Sequence, residues 1–158
     1  MNISTQVSVN ISETVEKVFD LATNMSRFPD FFKGSGPVPA VQQVTWQSGA
    51  SPVPGAKRNV HNSDGSVIVE ELIQLTRPEK HSYRLISGFK PPFSWMVRAA
   101  RGDWTFASIG DGTHVDWHYE FELTSPLAWP VTAVIVKLFF RRAMQDCLNA
   151  MRASLALN

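Results

Sequence analysis

Arg58 and Glu71 are the residues whose types and spacing best suit chemistry. The stretch Asn62-Ser63-Asp64-Gly65 reads as a hairpin turn between two strand-like segments. If the hairpin closes there, Val60 faces Val67 and Arg58 faces Val69. The inward row of the return strand is then Val67, Val69, Glu71, Ile73 and Leu75. Glu71 is the one charge in that row, and Arg58 is its diagonal neighbour on the same face. Two readings stand side by side. The pair is a structural ion pair, because a buried charge needs a partner. Alternatively it orients a ligand carbonyl or hydroxyl, with Glu71 moving a proton.

Tyr119 is the third candidate for such chemistry. A second turn, Gly110-Asp111-Gly112, joins two long strands, placing Phe106 opposite Val115, Trp104 opposite Trp117 and Gly102 opposite Tyr119. Val115, Trp117, Tyr119, Phe121 and Leu123 then point inward, and Gly102 is expected to leave space opposite Tyr119. Tyr83, Trp95, Trp104, Phe106, Trp117 and Phe121 combine large apolar area with, in Tyr and Trp, one polar handle. That combination suits the wall of a ligand pocket, although ordinary core filling gives the same pattern.

Other constellations carry less. His114-x-Asp116-x-His118 has metal-ligand residue types, but on one strand the two histidines stand about 13 Å apart at ~3.3 Å per residue. Zinc needs ligand atoms near ~2 Å, so a solvated outer face is expected and no metal site. Cys147 is the single cysteine, on an apolar helical stripe, and reads as a small hydrophobe. The glycines near 34–36 and 110–112 lack the strand–glycine–helix context of a phosphate loop. No cofactor is expected.

The elements that must position these residues follow from period and punctuation. Ile3, Thr5, Val7, Val9 and Ile11 alternate with polar residues, marking a half-buried strand. Ser12 is the expected N-cap of a helix with Val15, Val18, Phe19 and Ala22 on one stripe, and a second short helix is expected over 26–32. Six further strands follow, then a helical pattern from about Leu127 to Leu157. Strands followed by a closing helix indicate an α+β fold in a single domain spanning 1–158. The loops Gly34–Pro39 and Phe89–Phe93 are expected to flank one entrance.

On the long helix, Val136, Phe140, Met144, Cys147, Leu148, Met151 and Leu155 form the inward stripe, so Val136, Phe140 and Met144 are expected at the pocket. Val131, Ile135, Leu138 and Phe139 then point outward. Three covers compete for that patch: the loop from Phe89 to Trp95, a second copy of the chain in a homodimer, or a membrane surface.

Composition narrows the function classes. Of 158 residues, 44% are hydrophobic and 18% charged, which disfavours disorder. Lys plus Arg number 15 against 14 Asp plus Glu, leaving no basic excess to hold a nucleic acid. The apolar stretch from Leu127 to Phe140 is shorter than the ~20 residues of a spanning helix, so stable membrane insertion is not expected. No signal peptide is read at the start, and a reducing cytoplasm is the expected compartment.

Several short motifs recur in a specific order: Val18-Phe19-Asp20, Pro54-Gly55 with Arg58, Glu70-Glu71, Gly102-Asp103-Trp104-Thr105-Phe106, and Gly112-Thr113-His114-Val115-Asp116-Trp117. With them the chain resembles the START-like helix-grip superfamily, in particular its polyketide cyclase/dehydrase and lipid-transport (SRPBCC) group. The resemblance implies a curved antiparallel sheet of about seven strands around a long C-terminal helix, with two short helices after strand 1. It implies a pocket between sheet and helix for a lipid, polyketide or aromatic molecule. Three functions remain open: a binding protein for such a ligand; a cyclase/dehydratase-type enzyme using Arg58, Glu71 and Tyr119; and an interaction module docking through the outer helix face.

Overall fold

In the computed structural model, which describes residues 1–47 and 52–157, alternation becomes geometry at once. Strand β1 (Asn2–Ile11) exposes and buries successive side chains along its whole length. Helix α1 (Val15–Thr23) starts one turn-residue pair later than expected. Its N-cap is Thr14, not Ser12, and the Thr14 hydroxyl accepts the Lys17 N–H at 3.4 Å. The second short helix, α2, contracts to Phe28–Phe31, with Pro29 in its first turn, where no N–H is needed.

Six more strands follow: β2 (Val41–Trp46), β3 (Lys57–Asn62), β4 (Val67–Thr76), β5 (Lys80–Ser87), β6 (Val97–Ile109) and β7 (Gly112–Leu123). One helical turn, α3 (Phe93–Met96), precedes β6. All seven strands form one curved antiparallel sheet in the order β1-β7-β6-β5-β4-β3-β2. Closing β7 back onto β1 places the chain's first and last strands side by side, and the final helix lies in the resulting concavity.

The β6–β7 hairpin has the expected register, with Phe106 opposite Val115, Trp104 opposite Trp117 and Gly102 opposite Tyr119. The β3–β4 hairpin does not. Its turn has three residues rather than two. The Asn62 N–H donates to the Ser66 carbonyl at 2.9 Å, Gly65 takes φ +86°, and Asp64 Oδ1 accepts from the Ser66 N–H at 2.8 Å. One extra residue moves every partner by one, so Arg58 faces Glu70 and Val60 faces Ile68. Because the side-chain period is two, this slip turns the whole strand over. Ile68, Glu70 and Leu72 point inward, while Val67, Val69 and Glu71 belong to the outer face.

The long helix comprises α4 (Trp129–Val134), a π-helical stretch Ile135–Phe140, and α5 (Arg141–Ala156). Ser125 caps the short turn before it, accepting the Leu127 N–H at 3.1 Å. Met144, Cys147, Leu148, Met151 and Leu155 are buried on the expected stripe, chiefly against β1. The π stretch alters the angular advance of the preceding residues. Of the four side chains expected to face outward, only Val131 and Leu138 do so. Ile135 and Phe139 are half-buried and pack on the core, Phe139 over Gly36. Among the described residues no helix is long and apolar enough to cross a membrane.

Candidate functional site

The register of β3 against β4 delivers two charges to the interior. Arg58 and Glu70 are both buried, and Arg58 Nε donates to Glu70 Oε1 at 2.8 Å. A second guanidinium nitrogen, Nη1, lies 3.2 Å from His81 Nε2 on β5. An arginine can only donate, so Nε2 is the acceptor and the imidazole proton sits on Nδ1. That Nδ1 is buried with no hydrogen-bond partner among the described residues. Burial, reinforced by the positive Arg58, holds the His81 pKa well below its usual value, so the ring is neutral. The guanidinium also lies 4.9 Å from the centre of the Tyr83 ring.

Tyr83 and Tyr119 extend this polar cluster. The Trp104 indole N–H donates to the Tyr83 hydroxyl at 3.4 Å, and the two tyrosine rings meet edge-on at 6.0 Å. Burial, then the nearby Glu70, pushes the Tyr83 pKa up. Burial, then Tyr83 and Glu70, pushes that of Tyr119 well above its usual value. Both hydroxyls therefore hold their protons.

Next to this cluster lies a cavity of about 210 Å³. Glu70, Tyr83, Trp117 and Tyr119 form its floor. Its walls are apolar, among them Val60, Ile68 and Leu85 from the sheet and Ile135 and Phe140 from the π stretch. Both expected entrance loops border it, through Pro37–Pro39 and Phe89–Phe93. The β3–β4 turn adds a polar lip of Asn62, Asp64 and Ser66, and Lys90 ties the opposite loop to it by donating to the Asp64 carbonyl at 2.8 Å. Trp117 lines the cavity through its ring. Its indole N–H is buried and has no hydrogen-bond partner among the described residues. The cavity thus offers an apolar middle between a polar lip and a polar floor.

The model of the family described as polyketide cyclase/dehydrase and lipid transport matches residues 2–156. The chain belongs to this family. Solved structures share the fold. Ara h 8.0201 superposes with a TM-score of 0.72 at 12% identity, covering 100% of both chains. The ginseng major latex-like protein 151 from Panax ginseng gives 0.70 at 12% identity, covering 97% of each chain. A Thalictrum norcoclaurine synthase point mutant, in complex with a transition-state analogue, gives 0.72 at 10% identity over 99% of this chain and 95% of that one. At these identities the likeness concerns the fold. No curated protein matches the chain.

Within this family frame, the residues singled out in the sequence separate into three groups. Tyr83, Trp117, Tyr119, Phe121 and Phe140 line the cavity. Trp104, Phe106, Val136 and Met144 do not line it; they are sealed in the core behind it. Trp104 stacks on Trp117 with ring centres 4.2 Å apart, and Phe106 meets Phe19 edge-on at 5.1 Å. Trp95 is no wall, because α3 turns it outward into solvent.

Glu71 is the main correction. It sits on the outer face, where its carboxylate accepts from Arg84 Nη2 at 2.7 Å, and it does not meet Arg58. Its neighbour Glu70 takes the inward position. Arg58 itself lies behind Glu70, against a separate void of about 20 Å³. The glycine gap is also occupied, since the Tyr83 ring fills the space beside Gly102. On the outer face His114 is engaged by Asn10 and by Asp116.

Glu70, His81, Phe28 and Phe32 are the site residues that sequence reasoning missed. For Glu70 the signal was present in Asp64-Gly65-Ser66, where an Asp side chain capping the N–H two residues on lengthens the turn.

Proposed function

We propose that the protein binds a hydrophobic or amphipathic small molecule, such as a lipid, polyketide or aromatic compound, in this cavity. The observation that carries the reading is the pairing of apolar walls with one carboxylate, Glu70, at the floor. Small-molecule sites are commonly built from apolar walls and a few fixed polar groups. A ligand with a polar end would meet Glu70 and Tyr119. The cavity is smaller than the usual ~300–1,000 Å³. Its size suits one aromatic ring or a short acyl segment. Anything larger requires the loops at the lip to move. Residues 1–158 act as one unit in this reading, without a cofactor, in the cytoplasm.

Cyclase/dehydratase-type chemistry is a second reading, favoured by one feature: Glu70 and Tyr119 both line the cavity, and the carboxylate helps to raise the Tyr119 pKa. It requires Glu70 to exchange a proton with bound substrate while its Oε1 stays held by Arg58.

Native mass spectrometry of protein purified from its own host tests the binding reading. A retained small molecule that is lost in Ile68→Trp, which fills the cavity, supports it. Bare protein, together with no enhancement of anilinonaphthalene sulfonate fluorescence that Ile68→Trp abolishes, refutes it.

A further inference from the structure

The outward side of the long helix carries an apolar strip that nothing else among the described residues covers. Leu138 is 62% exposed and Val131 and Val134 are about half exposed, while Leu127, 91% exposed, and Trp129 stand out at the start of the helix. Trp95, 72% exposed, joins them from the sheet side. The two segments are tied at the backbone, where Thr124 donates its N–H to the Met96 carbonyl at 2.9 Å and its hydroxyl to the Trp95 carbonyl at 2.6 Å. Six large apolar side chains exposed on two joined segments differ from the scattered single exposures of ordinary surface. The strip also has a definite relation to the cavity. Phe93 and Met96, on either side of Trp95, line it, as does Ile135 beside Val134. The strip is therefore the outer face of the two elements that border the mouth.

The charges on its own segments are basic, with Glu122, paired with Arg98, and the exposed Asp146 at their ends. From 123 to 145 the chain contains no Asp or Glu, and from 80 to 102 it contains none either. Lys137, Arg141 and Arg142 are exposed and have no carboxylate partner among the described residues. Lys137 lies in the π stretch, and Arg141 and Arg142 open α5 directly after it, within one turn of Leu138. Lys90 lies on the loop opposite, and Arg98 follows α3 but is paired with Glu122. The formal charge of the whole chain is only +1, so this is segregation of charge and not general basicity.

That segregation decides between occupants. A two-fold dimer through the strip would press the patch against itself. Lys137, Arg141 and Arg142 would then crowd against the basic side chains of the copy, and the first carboxylate after them on the helix, Asp146, lies a turn beyond Arg142. An anionic bilayer answers every feature at once. Indole rings settle at headgroup level, aliphatic side chains enter the acyl boundary, and Lys and Arg meet acidic headgroups.

We propose that this strip docks the protein peripherally on an anionic lipid bilayer, with the cavity mouth turned toward the membrane. The proposal goes beyond ligand binding and stands independently of it, since docking is read without any ligand in the cavity.

The test is co-sedimentation of the full chain with phosphatidylcholine vesicles, with and without phosphatidylserine, alongside sedimentation velocity without vesicles. Wild type is expected to pellet with the phosphatidylserine vesicles and to stay in solution with phosphatidylcholine alone. Raising the salt should release it. Leu127→Glu/Leu138→Glu and Arg141→Glu/Arg142→Glu should each weaken partitioning about tenfold or more. All four sites are solvent-exposed, so both variants should keep the wild-type melting temperature, which confirms folding. Wild type remaining in solution with phosphatidylserine vesicles overturns the proposal, as does equal pelleting of both variants. So does a dimer without vesicles that Leu138→Glu makes monomeric, because a second copy would then own the strip. Retention of a small molecule in native mass spectrometry is a separate readout and moves with neither result.

Discussion

Tyr83 occupies the space that Gly102 vacates. The two are cross-strand partners, and a Cβ on Gly102 would lie 2.5 Å from Tyr83 Cζ. Gly102 also faces Tyr119 on its other side, so the missing side chain lets the two tyrosine rings meet across β6. Gly102→Ala is expected to push Tyr83 toward the cavity floor and to cost about 1–3 kcal/mol, as overpacking does. Urea unfolding measures the cost. A variant as stable as wild type, with unchanged tryptophan fluorescence, would mean that Tyr83 moves aside freely.

Arg58 and Glu70 should respond very differently to single and double replacement. Glu70→Ala leaves a buried guanidinium without its carboxylate and is expected to cost about 3–5 kcal/mol. Arg58→Met/Glu70→Leu removes both charges and should cost much less. Glu71→Ala breaks only a half-exposed surface pair and should stay within about 1 kcal/mol. Equilibrium unfolding of the three variants checks the β3–β4 register in solution. Equal losses for Glu70→Ala and Glu71→Ala would contradict it.

His81 makes stability fall in weak acid. Its folded pKa lies well below the usual 6.5, because burial first and Arg58 second disfavour the charged ring. Between the two values the unfolded chain binds a proton that the folded chain refuses. Stability is therefore full above about pH 6.5 and declines below it, at a limiting slope of about 1.4 kcal/mol per pH unit. His81→Gln keeps an acceptor for Arg58 and should flatten this slope. Unfolding midpoints measured from pH 7 to pH 5 give the comparison. Identical slopes in wild type and variant would place the acid sensitivity elsewhere.

Cys147 should be chemically silent in the native protein. Burial alone pushes its thiol pKa up, and the thiolate is the reactive form. Iodoacetamide labelling followed by mass spectrometry should show modification in denaturant and none without it. Rapid labelling of native protein would mean that α5 separates readily from the sheet.

Much of the fold was legible before any coordinates. The alternation in β1, the order of strands and helices, and the apolar stripe from Met144 to Leu155 each depend on local period, which sequence carries directly. The β6–β7 register was readable because its turn has the expected two residues, Gly110 and Asp111, between Ile109 and Gly112. The β3–β4 register was not, because one Asp64 side-chain hydrogen bond lengthened the turn and inverted the strand, giving Glu70 the place expected for Glu71.

Three outcomes belonged to tertiary structure alone. Whether an inward aromatic lines a cavity or seals a core depends on its distance from elements remote in sequence, so Tyr119 and Trp104 look alike in the chain and differ in the fold. The π stretch at Ile135–Phe140 turned Ile135 and Phe139 inward, a change that no extrapolation at 100° per residue contains. His81 joined Arg58 only because β5 pairs with β4 on one side and β6 on the other, which buries its ring beside a strand two places away. Local periodicity specifies which side chains turn inward; only the assembled sheet and helix specify what each one meets there.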